Sequence, residues 1–355
     1  MRMSRAVTLA VSMAVLAGGA SQSYAAGLTA PVTAGPPRPL HAKHLDLNGF
    51  FPSVTRIHVG DSVTWSINGF HTVSIIPAGQ AAPPLIIPAA SNPISGKLDA
   101  VGAPLWFNGQ PNQIINPVVA APSGGKTYAG KGFLNSGLPA PSGPPAPFTV
   151  KFTKAGSFTF NCLVHPGMKG VIRVLTNGKR VPTARQDREA AVAQASAAVR
   201  QARTLAKVKP PTATILAGND GNGPVAWLRF FPETLRVKAG TTVNFKISSS
   251  REVHTVTFGP PAYTTEIENT FTSPSPNPGG PPTLIVNPLG AYPSDPAPLP
   301  PYTGANHGNG FEGVGILGKG GPLPSGAKIT FTKPGTYTFE CVIHANMDAK
   351  IIVTK

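Results

Sequence analysis

Cysteine, acidic residues and long apolar runs are all scarce in this chain. Only two cysteines occur in 355 residues, Cys162 and Cys341. A disulfide-stapled framework is therefore excluded, and a single bridge would have to join two distant parts of the chain. Acidic residues number 14 against 30 basic ones, for a formal net charge of +16. A basic surface suits nucleic acid, an anionic surface or an acidic protein partner. No nucleic-acid motif and no basic run beyond Lys-Arg pairs is present, so nucleic acid is not an expected partner. Beyond the first residues no apolar stretch is long enough to cross a bilayer, so no membrane span is expected.

The start of the chain has the pattern of an address. Arg2 and Arg5 precede an apolar run from Ala6 to about Ala17, and small residues follow up to Ala25-Ala26. This predicts a secretory signal peptide over residues 1–26 and a secreted or periplasmic location. The apolar run is too short for a transmembrane anchor. What remains is long enough for two domains.

The sequence contains an internal repeat. Cys162-Leu163-Val164-His165-Pro166-Gly167-Met168 recurs as Cys341-Val342-Ile343-His344-Ala345-Asn346-Met347. Upstream, His71-Thr72-Val73 matches His254-Thr255-Val256, and Phe50-Phe51-Pro52 matches Phe230-Phe231-Pro232. Around these, Ser62–Ser66 and Thr242–Lys246 alternate polar and apolar residues, as do Phe158–Cys162 and Tyr337–Cys341, which is the period of half-buried strands. In the latter pair the aromatic residues and the cysteine share a face, which directs the thiol to the core. Val171–Val174 and Lys350–Val353 make a last strand after each methionine. Many short strands with Gly/Pro turns predict an all-β chain of two sandwiches.

One segment breaks that pattern. From Thr183 to about Lys207 the chain is rich in Ala, Gln and Arg without Gly or Pro, and Thr183 with Gln186 forms a capping-box signature. It predicts a single helix joining the repeats. The expected organisation is thus a flexible N-terminal segment 27–44, a first domain 45–178, a helical linker 179–210 and a second domain 211–355. Long Pro/Gly-rich stretches, from about Pro77 to Pro147 and Gly259 to Pro324, are either lids or mobile excursions.

Each half carries the same candidate metal ligands: His71, Cys162, His165 and Met168, then His254, Cys341, His344 and Met347. Thiolate and thioether favour copper, and imidazole suits either copper oxidation state. Zinc also takes Cys and His, but the methionine argues against it. Thr72, Thr255, Asn161 and Glu340 lie beside the ligands, and the threonine hydroxyls are expected to brace the loops. His41 and His44 are read as solvated side chains.

Cys162-x-x-His165-Pro166-x-Met168 resembles the short copper loop of amicyanin, and each half resembles a cupredoxin of the plastocyanin and amicyanin type. The resemblance covers the core strands and ligand loop of both repeats. It does not cover the insertions or the helix. It implies Greek-key β-sandwiches, one type 1 copper per domain and one-electron transfer. Thr72 and Thr255 stand where the family often has asparagine.

Multi-domain cupredoxins are often multicopper oxidases or copper nitrite reductases, which need further histidines. The eight histidines here (His41, His44, His58, His71, His165, His254, His307 and His344) include no His-x-His pair. The sequence therefore reads as an exported electron carrier with two coppers, working with a redox partner that is acidic. Copper storage or delivery is the alternative, and an enzyme comes third. The apolar neighbours of His165 and His344 predict a solvent-facing docking patch at each ligand loop.

Overall fold

A computed structural model of the protein describes residues 27–140, 145–276, 282–320 and 322–355. Residues 1–26, expected from the sequence to be a signal peptide, lie outside the described residues. Among the described residues no helix is long and apolar enough to cross a membrane.

The two halves build the same pair of sheets. In the first, one sheet runs Phe50–Phe51, Thr29–Ala34, Ser62–Ile67, Phe148–Phe152 and Thr127–Tyr128. The facing sheet runs Leu134–Asn135, Ser74–Ile75, Gly156–Asn161, Lys169–Leu175 and Val54–His58. In the second half Ala226–Phe231, Thr214–Asn219, Thr241–Ile247 and Gly326–Phe331 repeat the first order. Thr257–Phe258, Gly335–Glu340, Asp348–Thr354 and Thr234–Lys238 repeat the second. Parallel and antiparallel pairings match as well. Thr29–Ala34 runs parallel to Ser62–Ile67, as Thr214–Asn219 does to Thr241–Ile247. The chain is therefore a pair of β-sandwiches.

Aromatic side chains on alternating strand positions fill each sandwich. Phe160 packs edge-on against Phe50 at 4.6 Å and against Trp65 at 5.3 Å. Phe339 meets Phe230 at 4.8 Å and Phe245 at 5.5 Å in the same way. Such pairs contribute about 0.5–1.5 kcal/mol each beyond area burial. They also fix the strand that delivers each cysteine.

Two boundaries differ from those expected. Segment 27–44 is not a free tail, because Thr29–Ala34 is a strand of the first sandwich with Ala30, Val32 and Ala34 buried. The alternation is there in Thr-Ala-Pro-Val-Thr-Ala, but small residues and a proline mask it. Leu45–Asp46, expected to open the first domain, instead pairs antiparallel with Ala226–Phe231 of the second.

The helix spans Ala184–Leu205, with Thr183 as N-cap in a complete capping box with Gln186. It packs against both halves. Ala191, Ala195, Ala198 and Ala202 are buried in a cluster with Leu47 and Phe51 from the first half and Val225, Trp227 and Phe231 from the second. Alanine at these positions lets the helix backbone approach closely. Trp227 Nε1–H donates to the Ala202 carbonyl at 2.8 Å, and Gln194 Oε1 accepts from Ser53 N–H at 3.0 Å.

The Pro/Gly-rich insertions are ordered against each other. Ile86–Pro93 and Pro111–Ile115 from the first join Thr272–Ser275 and Thr283–Val286 from the second in one four-stranded sheet. Beside it Trp106, Phe107 and Tyr292 pack together, and Trp106 Nε1–H donates to the Pro293 carbonyl at 2.7 Å.

Trp227→Ala removes both the ring and its hydrogen bond at the junction of helix and second half. It is expected to destabilise the protein by about 3–5 kcal/mol and to expose residues 184–205 to proteolysis. Denaturant unfolding with limited digestion checks this, and unchanged stability contradicts it.

Candidate metal centres

Each cysteine follows directly on its strand, Gly156–Asn161 or Gly335–Glu340. From there a short loop turns back. Cys162 N–H donates to the Met168 carbonyl at 2.9 Å, and Met168 N–H donates to the His165 carbonyl at 3.1 Å. Cys341, Met347 and His344 repeat this at 2.9 and 3.2 Å. The turn needs left-handed backbone at one position, which is Gly167 (φ 77°) in the first loop and Asn346 (φ 61°) in the second. Glycine and asparagine are the residues that tolerate it.

The loop returns its histidine to the cysteine, and the upstream histidine closes from the other side. His71 lies in the loop just before Ser74–Ile75 rather than within a strand. In the first half His71 Nδ1 and His165 Nδ1 approach to 2.9 Å, with Cys162 Sγ 3.6 Å from His165 Nδ1. In the second, Cys341 Sγ lies 3.5 Å from His344 Nδ1 and 3.8 Å from His254 Nδ1. In each half the three donor atoms lie within 4.8 Å of one another. Met168 and Met347 are buried in the same clusters as the cysteines.

The threonines brace the sites. Thr72 N–H points at Cys162 Sγ at 3.4 Å, and Thr72 Oγ1 accepts from Leu163 N–H at 2.8 Å. Thr255 does the same for Cys341 at 3.4 Å and Val342 at 2.9 Å. Asn161 and Glu340 do not act this way. Strand alternation turns them to the opposite side from the cysteines, and among the described residues neither side chain hydrogen-bonds a ligand.

Electrostatics favour the charged sulfur. Burial alone would push the Cys162 thiol up, but the His165 and His71 imidazoles outweigh it and hold the thiol well below its ordinary value. Cys341 is lowered in the same way by His344 and His254. Against the effect of burial, Glu252 and Cys162 raise His165 to about 10. Cys341 and Glu252 raise His344 to about 10.

The Nε2 atoms divide into two classes. Among the described residues, those of His71 and His254 are buried without a hydrogen-bond partner. Glycines stand against them. A Cβ at Gly35 would lie 2.9 Å from His71 Nε2, and one at Gly218 would come closer still to His254 Nε2. Those of His165 and His344 turn towards the domain junction, where both meet Glu252, at 3.3 Å each. The docking patches expected from the sequence are therefore corrected at the histidines, although Pro166, Gly167 and Ala345 beside them are exposed. His165 is 6% exposed, and Leu163 and Val342 are buried. Val342 packs with Ile267, Phe311 and Phe271 of the second insertion.

Glu252 was not anticipated from the sequence. It stands two residues before His254, where the first copy has Gly69 before His71. That asymmetry is visible in the chain, but its meaning depends on the other half. Asn48 Nδ2 donates to Glu252 Oε1, and Arg251 donates to the Asn48 carbonyl at 2.7 Å. Buried Asp220 holds the Ser250 and Arg251 amides behind it.

A further cluster joins Asp295, His307 and Glu312. His307 Nε2 bonds Asp295 at 2.9 Å, and its Nδ1 lies 3.5 Å from Asp99 of the first insertion. Burial raises the Glu312 carboxyl to about 7. His307 is satisfied by its two carboxylates, and the cluster ties the insertions together. His41 is exposed. His58 Nε2 is bonded to the Lys179 carbonyl at 2.7 Å.

No family model and no curated protein matches the chain. Solved structures do. A plastocyanin from Dryopteris crassirhizoma is 19% identical, over 40% of this chain and 99% of its own, with a TM-score of 0.21. A copper(I) form of a methionine-to-alanine amicyanin mutant is 16% identical, over 42% and 89%, at 0.22. A purple cupredoxin from Nitrosopumilus maritimus is 14% identical, over 40% and 98%, at 0.21. Each likeness spans less than half of this chain.

These shifts set a pH optimum for the metal-free protein. An unfolded thiol titrates near about 8.5 and an imidazole near about 6.5. The lowered thiols add stability that is complete above about 8.5 and lost as pH falls through their folded values. The raised imidazoles add stability that is complete below about 6.5 and lost as pH rises through about 10. Between these limits the two slopes cancel. Glu252, lowered by the two imidazoles despite burial, adds a loss below about 4.3. The thermal midpoint should peak between about pH 6.5 and 8.5. A midpoint still rising above about pH 9 contradicts this.

Proposed function

We propose that the protein is an exported blue copper protein with one type 1 copper in each half, passing single electrons between redox partners. The observation that carries this reading is the duplicated donor set. In each half two imidazole Nδ1 atoms and one Sγ, favoured as thiolate, lie within 4.8 Å of one another. Two imidazoles and a thiolate with a methionine nearby are the ligands of an electron-transfer copper site. Bound there, copper supplies the one-electron chemistry.

The protein's own contribution is to keep that donor set still. Each cysteine is anchored by a strand, by the backbone bond to its methionine and by a threonine amide. Gly35 and Gly218 let backbone pack against the upstream histidines. A donor set held this firmly changes little when the charge at its centre changes by one, and small rearrangement favours fast electron transfer.

Storage or delivery of copper is the alternative. Burial of His71, His254, Cys162 and Cys341 disfavours it, because metal handed to another protein must be reached by that protein's ligands. An oxidase or nitrite reductase is disfavoured by the histidine inventory. Outside the two sites only His41, His44, His58 and His307 remain.

Copper analysis of the fully loaded protein should give two coppers per chain with a thiolate-to-copper visible band. Cys162→Ser and Cys341→Ser should each remove about half of that band and one copper. One copper in the loaded wild type, or a band untouched by both variants, refutes the reading.

The formal net charge, +16 for the full sequence and strongly positive without Arg2 and Arg5, favours an acidic partner. Attraction between the two raises the association rate at low salt and fades as the Debye length shrinks. Second-order electron-transfer rates with an acidic redox protein should fall at least about tenfold between about 0.01 and 0.5 M salt. A rate flat across that range removes the acidic partner.

A further inference from the structure

Each ligand loop turns its histidine Nε2 away from the donor cluster, and the two Nε2 atoms come to one carboxylate. Glu252 Oε1 lies 3.3 Å from His165 Nε2, and Oε2 lies 3.3 Å from His344 Nε2. We propose that Glu252 couples the two centres, so that an electron arriving in one half passes to the other through His165, the Glu252 carboxylate and His344. This rests on the reading of a copper in each half.

The path is short and continuous. It leaves one donor cluster at an Nδ1, crosses an imidazole ring and one N···O ion-pair contact of 3.3 Å, and traverses three carboxylate atoms. A second 3.3 Å contact and ring then lead to the other Nδ1. No step between groups along it is longer than 3.3 Å. The electron count closes simply. One centre loses one electron, the other gains it, each Nε2 keeps its proton and the carboxylate stays ionised.

The carboxylate is built in rather than incidental. It is 7% exposed, and its two oxygens are divided between the halves. Asn48 from the first half bonds Oε1, and Ser249 Oγ accepts the Glu252 N–H at 3.0 Å. Asp220, itself fully buried, fixes the preceding residues through Ser250 and Arg251. Two copies of a self-sufficient domain would not need this. The first half has Gly69 at the equivalent place, so a single acid serves both sites.

The arrangement also decides what an external partner can reach. In an isolated sandwich the ring edge of the loop histidine could face a docking protein. Here both edges face each other. His344, with 15% of its side chain exposed, is the more open of the two, and His165 lies deeper at 8%. The first-half centre is then filled through the second.

The test uses the full-length, copper-loaded protein with Glu252→Gln and Glu252→Leu. Cys341→Ser and Cys162→Ser supply the reference electron paramagnetic resonance spectra of the single centres. A substoichiometric pulse of reductant followed by freeze-quenching reads how the electron divides between them. In the wild type the division should be at equilibrium at the earliest time. Either Glu252 variant should relax at least tenfold more slowly while still binding two coppers. A second readout needs no electron transfer: the His165 and His344 Nε2–H proton signals should both shift in Glu252→Gln, and those of backbone amides far from the junction should not. Equal relaxation in wild type and both variants overturns the coupling, as do unmoved Nε2–H signals. A wild type that binds fewer than two coppers fails instead at the underlying reading. Should Glu252→Leu not fold, Glu252→Gln alone decides.

Discussion

A charged carboxylate out of water must be paired, and in this protein the pairing spans two domains. Glu252 is 7% exposed and lies between two imidazoles that belong to different sandwiches. Leaving such a group without one partner costs about 3–5 kcal/mol. The halves are therefore constrained to present their ligand loops to one another. Hydrophobic burial supplies more energy but no such direction, since apolar surfaces tolerate sliding. The polar junction fixes which ends meet.

The remaining contacts between the halves all agree with that orientation. The helix Ala184–Leu205 buries an alanine stripe against both sandwiches. Leu45–Asp46 crosses over to extend the second half's sheet. The insertions share a sheet, and Asp99 and His307 pin them. Each device alone would hold two domains loosely, because interfaces within a chain commonly permit motion. Acting at separate places around the junction, they oppose rotation of one sandwich against the other.

What could be read in the sequence followed the range of the forces involved. Strand alternation, the capping box at Thr183 and Gln186 and the Cys-x-x-His-x-x-Met loops are local patterns, and the structure carries them at the expected residues. Thr72 and Thr255 were legible as braces because they adjoin a ligand. Asn161 and Glu340 misled for a related reason: neighbours in sequence lie on opposite faces of a strand. Thr29–Ala34 escaped notice because alanine and threonine signal a strand weakly. Glu252, Asn48 and Asp220 could not be interpreted at all from one half, since their purpose exists only when the other half is in place. The docking patches were only partly right on the same ground. Apolar residues around His165 and His344 are equally suited to a partner or to burial, and only the fold says which.

The covering of those loops also gives the long insertions a physical role. Two sandwiches meeting end to end at their loops would leave a rim of apolar side chains and backbone groups beside the centres. The second insertion places Phe271 and Leu289 over Val342, and the shared sheet satisfies the backbone of the flanking strands. Proline suits such a segment, because a chain already restricted when unfolded loses less entropy on being ordered. Glycine answers a different need: Gly290, packed against Phe271 and Val342, leaves no room for a Cβ. The composition that resembled a mobile excursion is thus, at the second ligand loop, the composition of an ordered cover over Val342, the residue next to Cys341, and shielding there lowers the dielectric around the hydrogen bonds of the site.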